Sequence, residues 1–489
     1  MVEHSRQNLT WVWVALAFLI VAGALILLPI TSAVVVMGGA LAALAILRWH
    51  ELALYALIFA VPYGSWFPLP TGFGNLTAVD LLVALVIVLW LARMIAQERG
   101  ISFRLPPLSL AFALFLGAAL LSMTVALSLE ASIKEFTKWL EMFAVYIYVA
   151  NNIDEAKAQR VLVVVFLAGI SEAAIGIYQF LFQWGPEGFL LFGRFIRAFG
   201  TFEQPNPYAG YLALIAPVAF GIVISGPWSV VSQKTSSRIR FYVLRFGFVA
   251  LAAIALIATM SAIVMSWSRG AWLGVGVGLV VTIIAQSRRA FVLSIIAAFV
   301  LTFIILLSSV NVIPSEIGER FSGVADYFGV FDVRGVQVDD ANYAIVERMA
   351  HWQSAMMMLV DHPILGVGIG NYAAAYPQYS LPRWDDPLGH AHNYYLNVAA
   401  EAGLIGLSAY LILWVSAFWQ SWRAVRASSG LWRGVAAGLL GMLIALSLHN
   451  GLDNLFVHGM VVQVGIGLGI VAIINDKLPI TNKQMTNNQ

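Results

Sequence analysis

Three stretches of this 489-residue chain gather side chains that can bind an anion or move a proton. The first is Ser266-Trp267-Ser268-Arg269-Gly270. A guanidinium at a helix end beside glycine can present its planar fork to a diphosphate with little obstruction. The second runs from Arg194 to Leu212, with Arg194 and Arg197 ahead of Gly200 and Pro205-Asn206-Pro207. It reads as an ordered loop entering a helix that Asn206 caps, and a helix N-terminus adds a field favourable to an anion. The third is Gly389-His390-Ala391-His392-Asn393-Tyr394-Tyr395. Neutral imidazole can take a proton from a sugar hydroxyl at physiological pH, so His392, with His390 beside it, suits general-base chemistry.

Each stretch has a plainer explanation. Arg269 can snorkel into headgroups, Arg194 and Arg197 can be interfacial cations, and the histidines can belong to a polar cap. Arg269, however, falls on the side of the membrane where cations are disfavoured. His-x-His with Asp385 and Asp386 nearby suggests metal binding only weakly, for want of a third ligand, and no metal or other cofactor is expected. Lys134, Glu135, Lys138 and Glu141 share one helical stripe and are expected to pair with one another. Gly366–Asn371 (GVGIGN) lacks the strand–helix setting of a nucleotide fingerprint and is expected to form a tight, flexible turn. Glu172, His449 and Asp453 lie in apolar segments; interhelical hydrogen bonding or an ion-coupled transporter would account for them.

These residues must be positioned by membrane-spanning helices. Hydrophobic side chains make up 61% of the chain and charged ones 11%, against about 45–50% and about 25% in soluble domains. Mean hydropathy is +0.85, which excludes a soluble enzyme, a secreted protein or a disordered scaffold. The absence of cysteine excludes disulfides, thiolate metal sites and cysteine catalysis. Apolar runs fall near 10–29, 31–47, 51–68, 77–95, 106–127, 131–150, 160–184, 207–226, 241–267, 271–287, 290–310, 394–419, 431–453 and 457–475. The first is expected to be a retained helix rather than a cleaved leader. The third runs into Pro62, Pro68 and Pro70 and is a candidate re-entrant segment. Continuous runs exclude a barrel, so the expected fold is all-α, a polytopic membrane protein of about 12–14 transmembrane helices with one long extracytoplasmic loop.

With both termini in the cytoplasm, all but nine of the 27 lysines and arginines lie inside, as the positive-inside rule requires. The nine are Lys134, Lys138, Arg194, Arg197, Arg269, Arg320, Arg334, Arg348 and Arg383. The long loop, 311–391, is not of low complexity and is therefore expected to be functional. It contains an amphipathic pattern from about Tyr343 to Val360, read as a partly buried helix lying against the outer membrane face. The chain is divided into N-terminal helices (1–190), a membrane core holding the loop (191–475) and a polar cytoplasmic tail (476–489).

Taken together, the motifs resemble the O-antigen ligase/polymerase family, bacterial enzymes that move glycans off an undecaprenyl diphosphate carrier. The resemblance rests on R-x-x-G-T-F-x-x-P-N (Arg197–Asn206), S-R-G (Ser268–Gly270), D-H-P-I-L-G-V-G-x-G-N-Y (Asp361–Tyr372) and H-N-x9-G-x-x-G (His392, Asn393, Gly403, Gly406). It covers about 195–455; earlier segments match only in being apolar, and fourteen segments exceed the twelve usually drawn for such ligases. It implies an inverting, metal-independent glycosyltransferase of the bacterial inner membrane acting on a lipid-linked donor and a glycan, lipid or protein acceptor, with no nucleic-acid partner. Arg269 and Arg197, with Arg194 and Arg348, would bind the diphosphate, and His392 would orient or deprotonate the acceptor hydroxyl. Asn206, His390 and Asn393 would complete the substrate site. A polymerase joining lipid-linked repeat units and a secondary transporter are the alternatives.

Overall fold

A computed structural model of the protein describes residues 51–64, 69–71, 74–98, 100–191, 193–226, 238–287, 332–339 and 342–476, with isolated positions 45, 46, 48, 49 and 292. The apolar runs at 10–29 and 290–310, most of 31–47, much of the long loop and the tail beyond 476 lie outside the described residues. The chain divides into two compact units, 1–57 with 81–102 and 58–80 with 103–489. The boundary expected at 190/191 falls inside the larger unit.

The helices are α1 (Glu51–Tyr63), α2 (Ala78–Arg93), α3 (Ser109–Ser122), α4 (Leu129–Asn152), α5 (Glu155–Phe182), α6 (Pro205–Ala213), α7 (Ala216–Ser225), α8 (Arg238–Met265), α9 (Arg269–Gln286), α10 (Tyr343–Asp361), α11 (Tyr372–Ala375), α12 (Tyr394–Ala427), α13 (Gly430–Asn450) and α14 (Met460–Asp476). Two small antiparallel hairpins, β1–β2 (Leu69–Thr71, Gly74–Leu76) and β3–β4 (Leu190–Leu191, Phe195–Ile196), are the strands among the described residues. The protein is thus an all-α polytopic membrane protein. Seven helices among the described residues are long and apolar enough to cross a membrane. The third apolar run gives a 13-residue helix with Pro62 in its last turn, short of the ~20 residues a crossing needs.

Local chemistry sets the helix starts. Asp154 accepts the Lys157 N–H at 2.9 Å, Ser268 accepts from Ala271, and Asn393 accepts from Tyr395 and Leu396. Between helices, small residues replace hydrophobic driving force. At Gly278 of α9 a Cβ would lie 2.5 Å from the Gly441 carbonyl oxygen of α13, so only glycine permits that approach.

Hydrogen bonds define two ends of the larger unit. At one, Arg104 pairs with Asp476, Asn475 donates to the Gln420 carbonyl, and Ser225 meets Gln286. At the other lie the turns 126–128, 183–204, 266–268 and 451–459 and the described part of the long loop. There Lys138 is bonded to Glu135 (2.6 Å) and to the Phe456 carbonyl (2.8 Å). The expected four-residue charge stripe is therefore only partly a pairing network: Glu141 faces Asp80 and Lys134 is exposed.

The long loop is tied down by a break in α12. Gly403 has φ 63 and ψ −165, a conformation essentially confined to glycine. The break frees the carbonyls of Ala400 and Glu401, which accept from Val367 and Gly368 at 2.9 Å, while Leu404 N–H donates to the Pro363 carbonyl. Asn371 bonds to Ser128 and Ser132, and the Glu401 carboxylate accepts from Tyr372 N–H. The GVGIGN stretch is accordingly a buried clamp rather than a flexible turn. The helix expected near 343–360 is present as α10, and one face of it is buried. Val346, Met349 and Ala350 pack on Val333, Leu381 and Trp384, and Met358 packs with Tyr372 and Tyr376, while Met356 and Val360 stay exposed.

Candidate functional site

The loop that carries Arg197 starts at β4. Arg197 N–H donates to the Phe189 carbonyl (2.9 Å), Ala198 N–H to the Met265 carbonyl (3.0 Å), and Arg197 Nε to the Ser266 carbonyl (2.8 Å). This ties Arg197 to the turn Ser266–Ser268, whose next residue, Arg269, opens α9. The first turn of α9 abuts the end of α13: a Cβ on Gly270 would lie 2.6 Å from the His449 ring. Beyond α13 the chain turns at Asp453, which is 5% exposed.

Asp453 is the hub. Its Oδ2 accepts from Asn206 Nδ2 at 2.7 Å, and its Oδ1 lies 3.4 Å from His392 Nδ1. Pro205 fixes the first helical residue of α6, so Asn206 lies inside the helix and its side chain reaches Asp453; the expected cap is not formed. His392 has a left-handed backbone (φ 50), and its carbonyl accepts from Trp352 Nε1 (3.3 Å). Its N–H donates to His390 Nδ1 at 3.1 Å, and the two rings stand edge to face at 4.4 Å. His351 of α10 packs against the His392 ring from the other side, with centroids 5.6 Å apart.

Electrostatics follow from this crowding. Burial, reinforced by neighbouring His392 and Arg348, lowers His390 to about 4, although Asp453 opposes the shift. Burial, then the neighbouring histidines, lowers His351 to about 3. Burial works to raise Asp453, but the His392 contact and the charges of His390 and Arg348 outweigh it and hold its carboxyl below the usual range.

Arg197, Arg269, Asn206, His390, His392 and Arg348 are therefore gathered at one end of the larger unit. Arg194 is exposed and stacks on Phe195 at 5.2 Å, and Asn393 spends its side-chain oxygen on capping α12. Three residues lacked an assigned place in the sequence. Asp453 is the partner of His392, His449 touches Gly270, and Glu172 holds the Thr201 backbone. An acid at the end of an apolar run, in a chain so poor in charge, was the available signal for Asp453. Gln179 carried no sequence signal. His390, His392 and Asp453 also place one possible metal-ligand atom each within 4.8 Å of one another. The third side chain of any such group is thus Asp453, not the exposed Asp385 or Asp386.

Residues 253–411 match the family model described as O-Antigen ligase. The matched stretch contains Arg269, the 361–372 clamp, His390, His392 and both Gly403 and Gly406, so the resemblance to the O-antigen ligase/polymerase family holds over this part of the chain. It supports an activity of ligase or polymerase type at a membrane. Arg197, Asn206 and Asp453 lie outside the match and reach the site through the hydrogen bonds given above. No curated protein matches the chain.

Proposed function

We propose that the protein transfers a glycan from undecaprenyl diphosphate to an acceptor hydroxyl at the outer face of the bacterial cytoplasmic membrane, with both of its termini inside. The observation that carries this is the convergence around Asp453: the His392 imidazole faces it, Asn206 binds it from the helix that follows the Arg197 loop, and the end of α13 just before it abuts Gly270 beside Arg269. A base therefore lies at the same end as two guanidinium groups suited to a departing anion.

In this scheme the diphosphate lies against Arg197 and Arg269, with Arg348 and Arg194 adding positive charge. His392 takes the acceptor hydroxyl proton as that oxygen bonds to the anomeric carbon. The bond from that carbon to the diphosphate oxygen breaks, and its electron pair leaves with the lipid diphosphate, inverting the centre. Asp453 holds the ring and stabilises the imidazolium, as carboxylates do for catalytic histidines elsewhere. Fixed guanidinium groups stabilise the growing phosphate charge without needing a metal. Each such group is typically worth about 10²–10⁴-fold in rate.

The matched family model supports a ligase or a polymerase: a ligase's acceptor is a lipid, protein or polysaccharide end, whereas a polymerase takes a second lipid-linked glycan. Purified protein incubated with an undecaprenyl-diphosphate glycan and each acceptor type separates the two on a gel, by a single added band against a ladder. Absence of transfer to every acceptor, with ion-driven uptake into proteoliposomes instead, would replace the scheme by a transporter.

A further inference from the structure

Two polar side chains of α5 hold the donor-side loop, and the scheme above does not use them. Glu172 is fully buried and Gln179 is 1% exposed. They lie two turns apart on one helix face and meet three successive peptide groups of the loop. Gln179 Oε1 accepts from Phe199 N–H (3.1 Å) and Gly200 N–H (2.7 Å), and its Nε2 donates to the Gly200 carbonyl (2.8 Å). Glu172 Oε1 accepts from Thr201 N–H (2.7 Å), and its Oε2 lies 3.1 Å from the Thr201 hydroxyl, which also bonds to the Pro62 carbonyl.

Filling space does not explain this pair. In a chain that is 61% hydrophobic, two apolar side chains would fill the volume without the desolvation that a buried carboxyl and amide incur. What they supply is a set of acceptors for loop N–H groups that no helix or strand satisfies. The fit is close: Gly200 has φ +55, and a Cβ there would overlap both the Glu172 carboxyl and the Tyr208 ring. Immediately before these residues the loop carries Arg197 and Ala198, which are bonded to Ser266 and Met265 beside Arg269.

We infer that Glu172 and Gln179 are positioning residues that seat the 199–201 backbone and thereby hold Arg197 next to the Arg269 turn to receive a lipid diphosphate. This rests on the proposed diphosphate role of Arg197 and names what makes that role geometrically possible.

Two measurements on the full-length protein in detergent micelles test it. The first is affinity for undecaprenyl diphosphate. Arg197→Ala and Glu172→Ala should each weaken binding about ten-fold, the loss expected for one charge-assisted contact. Glu172→Gln should stay within about two-fold of wild type, because its amide oxygen accepts the Thr201 N–H and its amide N–H donates to the Thr201 hydroxyl. Combined with Arg197→Ala, Glu172→Ala should add less than about two-fold, since both remove one interaction. A full additional loss in the double variant, or wild-type affinity for Glu172→Ala alone, would overturn the inference.

The second measurement reads loop seating without any ligand. The chain has no cysteine, so Ala198→Cys with Met265→Cys introduces one cross-linkable pair at positions joined by a 3.0 Å backbone hydrogen bond. Cross-linking should fall several-fold on adding Glu172→Ala or Gln179→Ala and survive Glu172→Gln. Unchanged cross-linking refutes positioning itself. Altered cross-linking with Arg197→Ala binding normally overturns the diphosphate role, and with it the functional half of the inference.

Discussion

His392 Nδ1 and Asp453 Oδ1 face each other at 3.4 Å across the junction of the long loop with the turn that follows α13. Both groups are largely buried, and neither ring nitrogen of His392 has a well-aligned hydrogen-bond partner among the described residues. In the proposed scheme the carboxylate holds the ring, and the remaining nitrogen takes the acceptor hydroxyl proton.

Removing either member should stop transfer while leaving the helices in place. His392→Ala is expected to lower the transfer rate by about 10²–10⁴-fold. Asp453→Asn preserves shape but not charge, and a loss of about ten- to a thousand-fold is expected because the imidazolium is no longer stabilised. Initial rates on a lipid-linked donor, with thermal unfolding as the control for folding, check both. A fully active His392→Ala enzyme would remove the proposed base.

Metal removal should leave transfer unchanged. The scheme assigns charge stabilisation to guanidinium groups, so incubation with a chelator is expected to have no effect on rate. If the chelator abolished transfer and a divalent cation restored it, His390, His392 and Asp453 would be the residues to substitute next, because they alone bring three ligand groups together among the described residues.

The clamp that seats the loop should be sensitive to one added methyl group. Gly368 has φ +101, and a Cβ there would lie 2.6 Å from Ala126 Cα. Gly368→Ala is expected to destabilise the protein by about 1–3 kcal/mol from the backbone conformation, with steric displacement in addition. Gly403→Ala should behave likewise, because the freed carbonyls of 400 and 401 depend on its conformation. Thermal unfolding reads both, and wild-type stability would contradict the clamp.

Acid should loosen the loop before it unfolds the helices. His351 and His390 bind a proton near 6.5 when unfolded but only near about 3 and about 4 when folded. Between those values the unfolded chain binds more protons, so stability falls as pH is lowered from about 6.5 towards 4. His351→Gln should flatten that part of the profile, measured as unfolding temperature against pH. An unchanged slope would show that His351 is not buried as a neutral ring.

The sequence by itself determined the membrane architecture, the helix near 343–360 and the three stretches that carry Arg197, Arg269 and His392. Burying apolar residues in lipid is decided within windows of about 20 residues, so hydropathy is readable locally. The same locality explains the mistaken cap at Asn206: a Pro-Asn-Pro string looks like a helix start, and Pro205 does begin the helix, but where the Asn206 side chain then goes depends on Asp453 far along the chain. The tertiary structure alone decided that Asp453 serves His392, that Gly403 opens α12 to the 363–368 segment, and that Glu172 and Gln179 hold the loop ahead of α6. These are hydrogen bonds between distant residues inside a low-dielectric interior, where a polar group must find a partner but its identity leaves no trace in the spacing of neighbouring residues.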